Sequence, residues 1–220
     1  MIQRVVHPGV FATSAITLFT GVLWGQTTLT TAPAETDEPA GDWTFSAYVF
    51  AFVVDDDRDY VSPILTADRD WLHLEARYNY EAQDTGSVFA GYNFEFGEKV
   101  DVGITPMLGA VFGETNGVAP AYRFSLSWDR LEFYTEGEYL FDLEDDSDSF
   151  FYAWTELSYS LTDWFRAGLA VQRTRAYESD LDFQPGFLLG FSWKKLDFTA
   201  YVFDSGLDDP TYVFSIGAAF

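Results

Sequence analysis

Glu75 and Arg77 stand two residues apart, as do Glu136 and Glu138, with Glu132 four residues before Glu136. Even spacing of this kind puts side chains on one face of a β-strand. Charges so presented can line a water-filled path or pair across neighbouring strands. To act as acid–base machinery they would need a nucleophile or an activated water beside a titratable base. The chain holds two histidines, His7 and His73, and no cysteine, so a disulfide framework and a thiolate metal site are both excluded. No G-x-S-x-G, H-E-x-x-H, P-loop or dinucleotide fingerprint occurs. His73 is therefore expected to be a hydrogen-bonding residue. No catalytic residue, cofactor or metal-ligand set is assigned, and an enzyme is unsupported.

The elements that must carry these charges are strands. From Trp43 onward the chain alternates with period two. In "WLHLEARYNYE" the positions Leu72, Leu74, Ala76, Tyr78 and Tyr80 are apolar, while Trp71, His73, Glu75, Arg77, Asn79 and Glu81 form the other face. The connections come in two alternating kinds. Arg69-Asp70, Gly97-Glu98-Lys99, Asp129-Arg130, Leu161-Thr162-Asp163 and Lys194-Lys195 are tight. "DDDRD" at Asp55, "EAQDTG" at Glu81, "GETNG" at Gly113, "EDDSDS" at Glu144, "ESDLD" at Glu178 and "DSGLDDP" at Asp204 are longer and mostly acidic.

Between them lie about twelve strands, at 43–54, 60–68, 71–81, 87–97, 100–112, 118–128, 131–142, 150–160, 164–174, 184–193, 196–204 and 211–220. Most have the length of about 9–11 residues that a tilted strand needs to cross a bilayer. Short turns on one rim and longer loops on the other describe an all-β, transmembrane up-and-down antiparallel barrel with short periplasmic turns and acidic extracellular loops. A soluble sandwich would use the same alternation with its apolar face turned inward.

Register tests the barrel, because partners across a tight hairpin must face the same side. Closing Asp129-Arg130 pairs Ser127 with Glu132 and Arg123 with Glu136. Lys194-Lys195 pairs Ser192 with Asp197 and Gly190 with Thr199, and Arg69-Asp70 pairs Thr66 with His73. Polar meets polar in each hairpin. Two places resist: Pro106 has no N–H to give a closed barrel, which predicts a bulge or a late strand start. Tyr48, Phe50 and Phe52 also fall on what should be the inner face.

Aromatic residues are 19% of the 220, with a mean hydropathy of -0.05, the profile of alternation and not of long apolar runs. Asp and Glu number 35 against 12 Lys and Arg, which excludes a nucleic-acid partner for want of a basic face. Residues 1–25 have the charged start and apolar stretch of a signal peptide, an uncleaved anchor being the other reading. Residues 26–42, rich in Thr, Ala, Pro and Glu, are expected as a disordered linker, leaving 43–220 as the barrel.

The segment from Trp43 to Phe220 resembles a bacterial outer-membrane β-barrel, and no narrower family is indicated. Its end, with Tyr212, Phe214, Ile216 and Phe220 alternating, resembles the C-terminal signal read by the barrel-assembly machinery, although Ala218 is smaller than usual for its position. The resemblance implies the outer membrane of a Gram-negative cell, with membrane lipid and the assembly machinery as partners.

With the apolar set facing lipid, the pore-lining candidates are Glu75, Arg77, Asn93, Glu95, Arg123, Glu132, Glu136, Glu138, Glu156, Arg166, Gln172 and Asp197. Acids outnumber bases, which favours cations or neutral polar solutes. Arg123, Glu136, Glu156 and Arg166 are expected to form one band across four neighbouring strands. Two functions follow from this lining, a narrow passive pore or a plugged structural or surface-interaction barrel in which the charges pair. Aromatic belts are expected at Trp71, Phe96, Trp128, Trp164, Phe165, Trp193 and Phe220 on the short-turn rim, and at Tyr80, Phe112, Phe141, Phe151 and Tyr212 on the other. The acidic loops are expected to be solvated. Asp55, Asp56, Asp57, Asp145, Asp146 and Asp148 are the candidates should they hold Ca²⁺ or Mg²⁺.

Overall fold

The computed structural model describes residues 41–54, 58–144, 149–176, 182–204 and 210–220. The expected signal peptide, most of the linker and the six loop aspartates lie outside the described residues. The strands are β1 (Thr44–Val54), β2 (Tyr60–Arg69), β3 (Leu72–Tyr78), β4 (Thr85–Tyr92), β5 (Phe94–Phe96), β6 (Asp101–Gly113), β7 (Gly117–Trp128), β8 (Leu131–Asp142), β9 (Phe150–Thr162), β10 (Phe165–Ala176), β11 (Asp182–Trp193), β12 (Leu196–Phe203) and β13 (Thr211–Ala219). Sequence neighbours pair antiparallel throughout, except β4 and β5. β1 also pairs with β13, and β4 with β6, which closes the sheet. β4 and β5 continue one another along β6, so the barrel has twelve staves. At the seam Phe45 and Phe220 exchange both backbone hydrogen bonds at 2.9 Å.

Alternation decides the faces. Leu65, Leu108, Phe187 and Phe214 are more than half exposed on the outside, an apolar surface of the kind that lipid covers. The aromatic residues Trp71, Phe96, Trp128, Trp164, Trp193 and Phe220 ring the short-turn rim, also more than half exposed. Tyr212, Phe214 and Ile216 point outward on β13. Phe112 and Phe141 are exposed toward the opposite rim, but Tyr80 leaves the expected belt. Asn79, at φ 53°, ends β3. Its side chain accepts from the Asp84 backbone N–H and donates to the Val61 carbonyl. The alternation is broken at that point, and Tyr80 turns inside, 1% exposed.

Pro106 causes neither a bulge nor a late start. β6 runs through it, with Gly91 opposite Met107 and Phe94 opposite Ile104 in one uninterrupted register. The missing N–H is accommodated by a gap in the partner strand at Asn93, and the Thr105 hydroxyl donates to Asn93 Oδ1 across the gap at 2.7 Å.

Two turns fall one or two residues later than expected. Asp70-Trp71 and Asp163-Trp164 make the bends, while Asp129-Arg130 and Lys194-Lys195 stand as expected. Asp70, Asp129 and Lys194 each open their turn with positive φ, which Asp tolerates better than most residues.

Large inward side chains lie over cross-strand glycines. Phe89 is paired with Gly109 and Tyr48 with Gly217, and a Cβ at either glycine would come within 2.4 Å of the ring. Gly109→Val is therefore expected to destabilise the folded barrel by about 1–3 kcal/mol through overpacking. Ala110→Val, on the lipid side, should be near neutral. Urea unfolding followed by tryptophan fluorescence in detergent micelles measures both, and equal midpoints for the two variants would show that the ring is free to move away.

Candidate functional site

The inner charges are organised around Arg77 and Arg123. Glu75 and Arg77 share the inner face of β3, and Glu75 is joined to both guanidiniums. Arg123 stands opposite Glu136 across the β7–β8 ladder, its Nε 3.5 Å from Glu136 Oε2. Arg77 Nη1 reaches Glu138 Oε2 at 2.9 Å and Glu81 Oε1 at 3.8 Å. The Arg77 guanidinium lies over the Tyr80 ring at 3.8 Å and the Phe89 ring at 4.1 Å, cation–π contacts strengthened by burial. Tyr80 and Tyr134 both donate to Glu136. All of these charged side chains are almost fully buried. Each ion depends on its partners, because an unpaired charge there costs several kcal/mol.

His73 belongs to the same assembly. The later turn at Asp70-Trp71 pairs it with Asp68 and not with Thr66. Its Nδ1 lies 2.6 Å from Asp68 Oδ1 and its Nε2 3.1 Å from Glu75 Oε2. Both nitrogens thus face carboxylates, with Arg123 Nη1 3.5 Å from Nε2. Asn93 donates to Asp68 at 2.8 Å and continues the chain of contacts to Thr105. Among the described residues no hydroxyl shares a hydrogen bond with the ring.

The expected band of four charges splits in two. Glu156 pairs with Tyr134, and Glu136 with Trp154, two residues from the expected opposition of Glu136 and Glu156. A register shift at the start of β10 sets Arg166 opposite Ser160, farther from Glu156 than expected. Arg166 instead binds Asp197 through Nη1 at 2.7 Å and Thr199 through Nη2 at 2.6 Å, lying over Gly190. Glu156 accepts from Trp154 Nε1 at 2.7 Å and from Tyr201 at 2.9 Å. Gln172 donates to Gln184 across the β10–β11 ladder.

Two further regions complete the lumen. Toward the long-loop rim Phe50, Phe52, Tyr152, Trp154, Leu188 and Phe203 pack as one buried cluster, with Trp154 edge-on to Tyr201 and Phe203 at 5.0 Å each. Tyr48, Phe50 and Phe52 do face inward. Toward the short turns the lumen opens into a cavity of about 680 Å³ bordered by Glu95, Asp101, Glu132 and Arg166 and by the hydroxyls of Ser125, Ser127, Ser160 and Ser192. A second cavity of about 410 Å³ reaches Asp68, His73, Asn93 and Arg123. The twelve candidates are therefore all on the inner side, with Glu95, Glu132 and Arg166 around the mouth cavity and the others along the wall. Sequence reasoning missed Asp68, Glu81, Tyr80 and Phe89 as members of the ionic assembly.

No protein-family model matches the chain, and no curated protein sequence does. Solved structures are similar in fold. The KdgM porin superposes with a TM-score of 0.59 at 14% identity, covering 80% of this chain and 99% of that one. A KdgM porin in complex with disordered oligogalacturonate gives 0.57 at 13%, covering 80% and 99%. The NanC porin gives 0.55 at 11%, covering 78% and 98%. The chain has the fold of the outer-membrane porins.

Arg123→Met should cost about 3–5 kcal/mol of barrel stability, because it leaves Glu75 and Glu136 facing each other without their shared cation. Adding Glu75→Gln to the same chain should recover part of the loss, with a coupling of about 0.5–3 kcal/mol. Urea titration of the refolded barrel reads both. A loss below about 1 kcal/mol would mean that water screens the network.

Proposed function

We propose that the protein is a narrow, passive outer-membrane channel for small cations or neutral polar solutes. The observation that carries this reading is the acidic, hydroxyl-lined cavity that opens at the short-turn mouth and leads to the buried ionic assembly. Carboxylates around a confined aqueous path concentrate cations and repel anions. The porin fold supports the choice of a channel over an enzyme, and it supports an outer-membrane location. It does not carry over the cargo: the acidic lining is ill-suited to an anionic chain such as the oligogalacturonate bound by one of the similar porins.

A second reading, a plugged structural or surface-interaction barrel, is favoured by the aromatic cluster toward the long-loop rim. In the channel reading this cluster is the constriction, and thermal motion of Trp154, Tyr201 and Phe203 admits solutes one at a time. In the plug reading it is a permanent core.

Planar-bilayer recording separates the two. The channel reading expects small unitary currents in KCl and a reversal potential under a salt gradient that reports cation preference. Trp154→Ala should raise the unitary current severalfold, and Glu132→Gln should weaken selectivity. Silence from protein whose folding is confirmed by heat-modifiable gel migration would leave the plugged barrel standing, and anion preference would overturn the assignment of the acidic lining.

A further inference from the structure

Five carboxylates of the ionic assembly, Asp68, Glu75, Glu81, Glu136 and Glu138, share two guanidiniums and one imidazole. With the imidazole charged, two carboxylates still have no counter-charge among the described residues. The shortfall is localised. Glu81 and Glu138 both lean on a single nitrogen, Arg77 Nη1, one at 3.8 Å and the other at 2.9 Å. Both oxygens of Glu81 and Oε1 of Glu138 are buried without a hydrogen-bond partner. Ser87 faces the same space. It stands opposite Arg77 across the β3–β4 ladder and is 1% exposed. Its Oγ lies beside Glu81, short of full hydrogen-bond geometry.

Four buried oxygens without a hydrogen-bond partner on residues around Arg77 cost free energy in any occupant-free state. A proton shared by Glu81 and Glu138 would pair two of these oxygens and remove only one of the two excess charges. A hard cation with ligand distances of about 2.3–2.6 Å and tolerant geometry can take all of them, its remaining positions filled by water. Its charge matches the deficit of two. We propose that Glu81, Glu138 and Ser87 form a buried Ca²⁺ site beneath the long-loop rim. The loop after β3 supplies Glu81, folded inward by the break at Asn79, so the cation ties that loop to β8, four staves round the barrel. The site is distinct from the acidic loop clusters and does not depend on whether the lumen conducts.

Equilibrium dialysis of the full-length, detergent-refolded barrel against Ca²⁺ tests it. One Ca²⁺ per barrel is expected, bound at least about tenfold more weakly by Glu81→Gln/Glu138→Gln and measurably more weakly by Ser87→Ala. Replacing Asp55, Asp56, Asp57, Asp145, Asp146 and Asp148 by Asn should leave that site filled. Unchanged binding in the double variant, or no bound Ca²⁺ in the native protein at millimolar concentration, overturns the proposal. Should the double variant fail to show heat-modifiable migration, Glu138→Gln alone and Ser87→Ala give the same reading. A barrel that holds Ca²⁺ and passes no current overturns only the channel, whereas a conducting barrel without Ca²⁺ overturns only the site.

Discussion

Closure of the sheet is the constraint on which everything else depends. A bilayer offers no partner for a free N–H or carbonyl, so a spanning sheet must bond its last strand to its first. Here β1 meets β13, and Phe45 and Phe220 exchange two hydrogen bonds at the rim. Once the ring is closed, parity is fixed all the way round. A residue that faces lipid obliges its cross-strand partners to face lipid, and one inward charge obliges its neighbours to be compatible with the lumen. The break opposite Pro106 shows how firmly this holds. The ladder tolerates a gap at Asn93, but the register on either side does not slip.

Parity then creates an energetic problem inside. Charges forced inward must be hydrated or paired, and this barrel divides the two solutions by height. Near the short turns the walls carry hydroxyls and carboxylates around open cavities. At mid-height Glu75, Arg77, Arg123 and Glu136 are buried and paired, and toward the long-loop rim the filler is aromatic. Glycines opposite two of the inward rings help make this possible, because Phe89 and Tyr48 lie where a partner Cβ would stand.

Most of the fold was legible because period-two alternation and tight turns are local signals. The Asp129-Arg130 and Lys194-Lys195 hairpins gave the observed pairings, including Arg123 with Glu136. The misplacements also have physical causes. In the bends at Asp70, Asp129 and Asp163 the aspartate is the first turn residue. Applying the Asp129 pattern to "RDW" would have set the turn at Asp70-Trp71 and revealed the Asp68–His73 contact. Tyr80 was harder: its alternation with Tyr78 is perfect, and only the left-handed tendency of Asn79 hinted that the face would change. The split of the charge band was not legible, because a shift between Phe165 and Arg166 leaves no mark in the pattern.

The fold fixes how far function can be inferred. Barrels superposing at 10–15% identity share a fold and need share no lumen side chain, since any residue compatible with the interior satisfies closure. Cargo must therefore be argued from the inward set of this chain, where acids exceed bases among the described residues. Pairing removes much of that field: Arg123 and Arg77 cancel charge where the lumen is most tightly packed, and Arg166 is held by Asp197. The carboxylates without a guanidinium of their own lie around the mouth at Glu95 and Glu132, in the lumen at Glu156, and beside Arg77, which Glu81 and Glu138 share. A cation entering from the short-turn side would meet attraction first at the mouth and next above the paired zone. In the proposed channel the paired zone between them would be a barrier of packing more than of charge.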